Sequence, residues 1–184
     1  RGPDGVFAAQ ARQLDGRLPL TAHGPLDPNR ISHVDELDLS VPVVVHADVI
    51  AAWPDWDWAR LGARLLVENL DAPRDPDDRV FREVMGSLPD ARVCLDVSHI
   101  ANWSSDDEAR SRIAVMMSRF DVAEVHVGCT QGMEDSYGPV AAPPRFQLKT
   151  AAQVGAALGV PVIYEGNFTL DTAEEVLSQL RSLA

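Results

Sequence analysis

Short, nearly continuous apolar runs recur along the chain, each followed by turn residues and then a stretch of helical character. They span Leu18 to His23, Val41 to His46, Arg64 to Leu70, Arg92 to Val97, Val122 to Val127 and Val160 to Glu165. Runs rich in Val, Ile and Leu, without polar alternation, fit parallel strands covered on both faces. The intervening segments carry helix signals. Val6 to Leu14, closed by Asp15-Gly16, reads as a helix before the first strand, and Asp27-Pro28 opens a short one. Ser105 stands three before Glu108, a capping-box spacing, ahead of Ile113, Val115, Met116, Met117 and Phe120. Lys149 to Leu158 stops at Gly159, and Asp171, three before Glu174, opens the last helix.

Strand and helix alternating this often predict a parallel α/β fold. No G-x-G-x-x-G turn follows an early strand, which disfavours an open, doubly wound nucleotide binder. The expected architecture is therefore a (β/α) TIM-type barrel occupying 1–184 as one domain. Such barrels have eight strands in about 250 residues, whereas only six βα units are visible in 184 residues. The amino-terminal units are thus expected to be missing or reduced. Open sheet edges are normally covered, so upstream sequence or a second copy of the chain in a homo-oligomer is expected to cover them. Residues 137–144 read as a long loop.

Charge narrows the partners. A formal net charge of −12, with a pI near 4.7, repels a polyanion, and no Lys/Arg cluster interleaved with aromatics offsets it. Nucleic acid is disfavoured, and a small-molecule substrate is expected. No apolar run approaches the roughly 20 residues of a membrane span, and no secretion-signal pattern is present. The sequence opens at Arg1 rather than Met. Cys94 and Cys129 make no disulfide framework, so a reducing, cytoplasmic setting is expected.

The strands share a manner of ending. His23, His46, Glu68, Asp96, His126 and Glu165 stand at or near the ends of the six runs. Buried apolar strands rarely carry ionisable groups without partners, and in a barrel these ends converge on one mouth. A shared divalent cation would satisfy carboxylates that otherwise repel one another. Mixed imidazole and carboxylate donors suit Mn²⁺, Zn²⁺, Fe²⁺ or Co²⁺ better than Ca²⁺.

Leu66-Val67-Glu68-Asn69, Cys94-Leu95-Asp96-Val97-Ser98-His99, Glu124-Val125-His126-Val127 and Val162-Ile163-Tyr164-Glu165 resemble, in order, the xylose isomerase-like superfamily. This group includes sugar isomerases and epimerases and the endonuclease IV type of apurinic endonuclease. The resemblance implies a TIM barrel whose metal is held by Glu68, Asp96, His126 and Glu165. In the epimerase-like branch it further implies Glu68 and Glu165 as acid and base, with His99 contacting substrate oxygens. A metal-dependent isomerase or epimerase-like enzyme acting on a small sugar or polyhydroxylated substrate is thus the expected activity.

The nuclease branch adds metal ligands, and His23, His46 and His99 resemble them. That branch places an Asp-x-His pair after the histidine matching His126, whereas this chain reads Asp135-Ser136-Tyr137. A metal-dependent phosphodiesterase is therefore the alternative, and a non-catalytic, degenerate barrel a third. The same segment loosely resembles the multinuclear iron oxidative enzymes that modify peptides, again with Tyr in place of His.

Each candidate also has a plainer reading. His23 and His46 are equally ordinary hydrogen-bonded histidines, and His33 a solvated one. Trp53, Trp56 and Trp58, after His46, either stack on a cyclic substrate or pack beneath their loop. Trp103, four past His99, carries the same ambiguity. Cys129 is more often inert than reactive, and Arg145 and Lys149 fit a surface helix start as well as an anion site.

Overall fold

A computed structural model describes residues 21–23, 41–128 and 144–165, together with 174 and 178. The helices expected at Val6 to Leu14 and after Asp27, the loop at 137–144 up to 143, and His33, Cys129 and Asp135 lie outside the described residues; of the helix expected from Asp171, Glu174 and Ser178 are described, and both are helical.

The described strands are β1 (Ala22–His23), β2 (Val43–His46), β3 (Leu65–Glu68), β4 (Arg92–Asp96), β5 (Val122–Gly128) and β6 (Val162–Glu165). The helices are α1 (Ala47–Ala52), α2 (Arg79–Ser87), α3 (Val97–Ala101), α4 (Asp106–Arg119) and α5 (Arg145–Leu158), with a 3₁₀ stretch at Trp58–Arg64. Strand order follows sequence order, and the β1–β2, β4–β5 and β5–β6 ladders are parallel. The fold is α/β.

The expectation of a closed TIM-type barrel is corrected. The order β1-β2-β3-β4-β5-β6 is open, with no ladder from β6 back to β1 among the described residues. Five strands have four to seven residues, and β1 has two among the described residues. Closure requires strand number, tilt and stagger to agree around a full circle. Apolar runs report burial on both faces of a strand, which an open sheet supplies equally well.

The described residues gather into two compact units. One comprises 21–23, 41–67 and 80–92. Its core is built on β2, where all four residues are buried, with Trp58, Leu61, Phe81 and Val84 also inside. Trp56 and Trp58 pack at a ring separation of 4.3 Å, and Arg60 lies over the Trp56 ring. Trp58 donates its indole N–H to the Trp53 carbonyl at 2.9 Å. Packing beneath the loop is thus what Trp58 does.

The other unit comprises 68–79, 93–128 and 144–165. Val93, Leu95, Val125 and Val127 are fully buried, as parallel strands require. Ser105 caps α4 and Glu108 answers it, completing the capping box, and Ala109, Ile113 and Met116 form its buried stripe. Val115 faces outward, 44% exposed. Helix α5 begins at Arg145, earlier than the expected Lys149, because Pro144 sets its first turn. It ends at Gly159 with φ 68°, a left-handed cap that glycine adopts without strain. No helix among the described residues is long and apolar enough to cross a membrane.

Candidate metal centre

Parallel register decides which strand-end side chains become neighbours. Asp96 pairs with His126 across β4 and β5, and Gly128 pairs with Glu165 across β5 and β6. His126 and Glu165 therefore start on adjacent strands, and the Glu165 carboxylate reaches Nδ1 of His126 at 3.0 Å. The same nitrogen lies 4.0 Å from Oε2 of Glu68, at the end of β3. Glu68, His126 and Glu165 each bring a donor atom within 4.8 Å of the others. Glu68 is fully buried and His126 nearly so, while the Glu165 side chain is 35% exposed.

His99 joins from α3. Its Nδ1 donates to the Asn69 carbonyl at 2.8 Å and lies 3.5 Å from Oε1 of Glu68. Asp96 is placed differently from the other expected ligands. Its Oδ1 accepts the His99 backbone N–H at 2.7 Å, capping α3, and its Oδ2 is 4.0 Å from His99 Nδ1. The groups of three or more potential metal donors found among the described residues do not include Asp96.

Three residues that hold the site carry no expected role in the sequence, although Asn69 belongs to the Glu68-Asn69 strand end. Asn69 locks the end of β4 through hydrogen bonds to both backbone groups of Asp96. Ser98 accepts the Gly128 N–H at 2.9 Å, and its hydroxyl lies 2.8 Å from Gln147 Oε1 on α5, tying the end of β5 to two helices. Glu124 is the third. It is 3% exposed, and its Oε1 lies 2.7 Å from Nε2 of His126. The signal was available, since residues i and i+2 of a strand share a face.

Burial and charge pull the titrations apart. Burial drives the Asp96 pKa up against the lowering effect of His99, with Glu68 adding to the rise. Burial works against the His99 imidazolium, but Asp96 and Glu68 outweigh it and raise its pKa. His126 behaves alike: burial opposes its charge, yet hydrogen bonds with Cys94, Glu124 and Glu165 raise its pKa. Burial holds the Cys94 thiol well above its ordinary value. The carboxylates around His126 thus favour positive charge at this position.

The donor set fits a divalent transition metal. Two donors on a tetrahedral ion at about 2.0–2.1 Å sit roughly 3.3–3.4 Å apart. The two carboxylate separations at His126 Nδ1, 3.0 and 4.0 Å, straddle that spacing, while Nε2 meets Glu124 at 2.7 Å.

His23 and His46 belong to the first unit, where their rings meet edge-on at 5.4 Å. Trp53, 38% exposed, is also in that unit. Trp103, just past α3, is 56% exposed, and none of the contacts above involves it. Arg145 and Lys149 lie in the first turns of α5 and are exposed. No family model, curated protein or solved structure matches the chain.

Proposed function

We propose that this chain is a divalent-metal enzyme, isomerase- or epimerase-like, that moves a proton at a carbon beside a carbonyl of a small polyhydroxylated substrate. One observation carries the reading: two carboxylates, Glu68 and Glu165, converge on the same nitrogen of buried His126. When bound, the cation polarises the substrate's carbonyl and hydroxyl oxygens, which makes the adjacent C–H more acidic.

The chain's own groups divide the remaining work. Glu68, fully buried, holds the cation. Glu165 is the carboxylate with access to solvent, and a base must reach the proton it removes, so Glu165 takes the proton. His99 donates Nδ1 to the Asn69 carbonyl and stands beside Glu68, a position from which its ring orients a substrate oxygen. Trp103 offers an exposed indole on which a ring would stack.

The test is solvent deuterium exchange into ketoses by Mn²⁺- or Co²⁺-loaded protein, run beside cleavage of abasic-site DNA. Exchange that disappears in Glu165→Gln, with metal still bound, is the expected result. Cleavage of the DNA without exchange would replace this reading with the phosphodiesterase. A protein that takes up no metal would end both.

A further inference from the structure

Behind His126 lies a carboxylate that the proposed chemistry does not use. Glu124 and His126 share one face of β5, and the register sets Cys94 on β4 opposite Glu124, as it sets Asp96 opposite His126. This layer is sealed: Cys94 is fully buried and Glu124 is 3% exposed. Substrate has no route to it, so a carboxylate here acts on its neighbours or not at all. Burying a carboxylate is costly unless it is paired, and Glu124 meets His126 Nε2 at 2.7 Å.

An imidazole has two nitrogens, and the partner of one decides what the other presents. The Glu124 oxygen accepts the Nε2 proton, and the ring then turns Nδ1 toward Glu165 and Glu68, 3.0 and 4.0 Å away. We propose that Glu124 is a positioning residue that fixes the His126 ring so that Nδ1, rather than Nε2, holds the cation between Glu68 and Glu165. The proposal rests on the metal reading above. It also decides between two possible seats. Cys94, Glu124 and His126 bring donors within 4.8 Å of one another, a sulfur-containing alternative set. Glu124 bonded to Nε2–H takes that nitrogen out of it.

The experiment uses ¹⁵N-histidine-labelled protein, with Zn²⁺ as the probe, in wild type, Glu124→Leu and Glu124→Gln. In Zn²⁺-loaded wild type the His126 resonances are expected to show Nδ1 bound and the Nε2 proton retained. Carboxylates that orient a metal-bound histidine contribute about 10–100-fold in affinity. Glu124→Leu should therefore weaken Zn²⁺ binding by that factor in a chelator competition. Glu124→Gln, whose amide oxygen still accepts from Nε2–H, should recover most of the loss. Zn²⁺ bound through Nε2, or a folded Leu variant binding like wild type, overturns the proposal. If Glu124→Leu does not fold, the wild-type spectrum decides, because it reads directly which nitrogen holds the ion. If wild type binds no Zn²⁺, the metal reading falls separately. The orientation is then read from the metal-free Nε2–H resonance, which must be lost when Glu124 becomes Leu and kept when it becomes Gln.

Discussion

The side-chain amide of Asn69 pairs with the backbone of Asp96 as another strand would. Its Nδ2 donates to the Asp96 carbonyl at 3.0 Å, and the Asp96 N–H donates to its Oδ1 at 2.8 Å. Both residues are buried. Asn69→Ala leaves a buried donor and a buried acceptor unsatisfied, at about 1–3 kcal/mol for each such group. We expect Asn69→Ala to lower unfolding free energy by roughly 2–4 kcal/mol, read from the urea midpoint at unchanged slope. Asn69→Asp keeps the acceptor but loses the donor and places another negative charge beside Glu68 and Asp96, so it should cost at least as much. A loss below the range of ordinary surface substitutions would mean that the clamp is dispensable.

Asp96 and Glu68 should respond differently to neutralisation. Asn caps a helix as well as Asp does, so Asp96→Asn keeps the bond to the His99 N–H. Glu68 faces His126 Nδ1 directly. We expect Glu68→Gln to weaken Co²⁺ binding more than about 100-fold, beyond what a supporting residue contributes, and Asp96→Asn by about 10-fold or less. Metal content after equilibrium dialysis measures both. Equal losses would make Asp96 a ligand of the same standing.

The α4 cap gives a pH dependence with a definite sign. Hydrogen bonds from the Ser105 side chain and then its backbone hold the Glu108 carboxyl below its ordinary pKa. A carboxyl lowered in the folded state stabilises above its unfolded pKa, about 4.3, and that stabilisation is lost as pH falls through the folded value. Glu108→Gln should therefore lower the melting temperature at pH 7, with the gap to wild type closing in acid below both values. A gap of constant size across pH would assign the effect to packing instead. Ser105→Ala removes the cap's own oxygen and should cost about 0.5–2 kcal/mol.

Much of this arrangement was legible in the sequence, for reasons that the capping box and the strand ends make plain. Ser105 with Glu108, and Gly159 before Pro161, act within one turn of chain, so local spacing suffices to read them. His46, Glu68, Asp96 and Glu165 close their strands because an apolar run must meet the solvent or a site where it ends. Closure of the sheet was not legible, since it depends on how many strands meet rather than on any one of them. Asp96, expected as a ligand, also caps α3 through its 2.7 Å bond to the His99 N–H, a role that its place at a strand end does not reveal. Glu124 lies inside β5, one layer below the strand ends that the apolar runs mark.

Two glycines make opposite predictions. Gly155 sits in α5 where an added Cβ would collide with Val162 Cγ2 and meet the Val160 carbonyl at 3.2 Å. Valine is stiff at χ1, so the contact is relieved only by moving β6 or the helix. Overpacking of this kind costs about 1–3 kcal/mol, and β6 carries Glu165, so Gly155→Ala should weaken metal binding as well as stability. Gly86, near the end of α2, has nothing within 4 Å of its virtual Cβ. Replacing an unhindered helical glycine by alanine gains about 0.5–1 kcal/mol, less for a residue in the last turn. Gly86→Ala should raise the urea midpoint and leave metal binding unchanged. Were Gly155→Ala as well tolerated as Gly86→Ala, α5 would not be what holds β6, and with it Glu165, in register with His126.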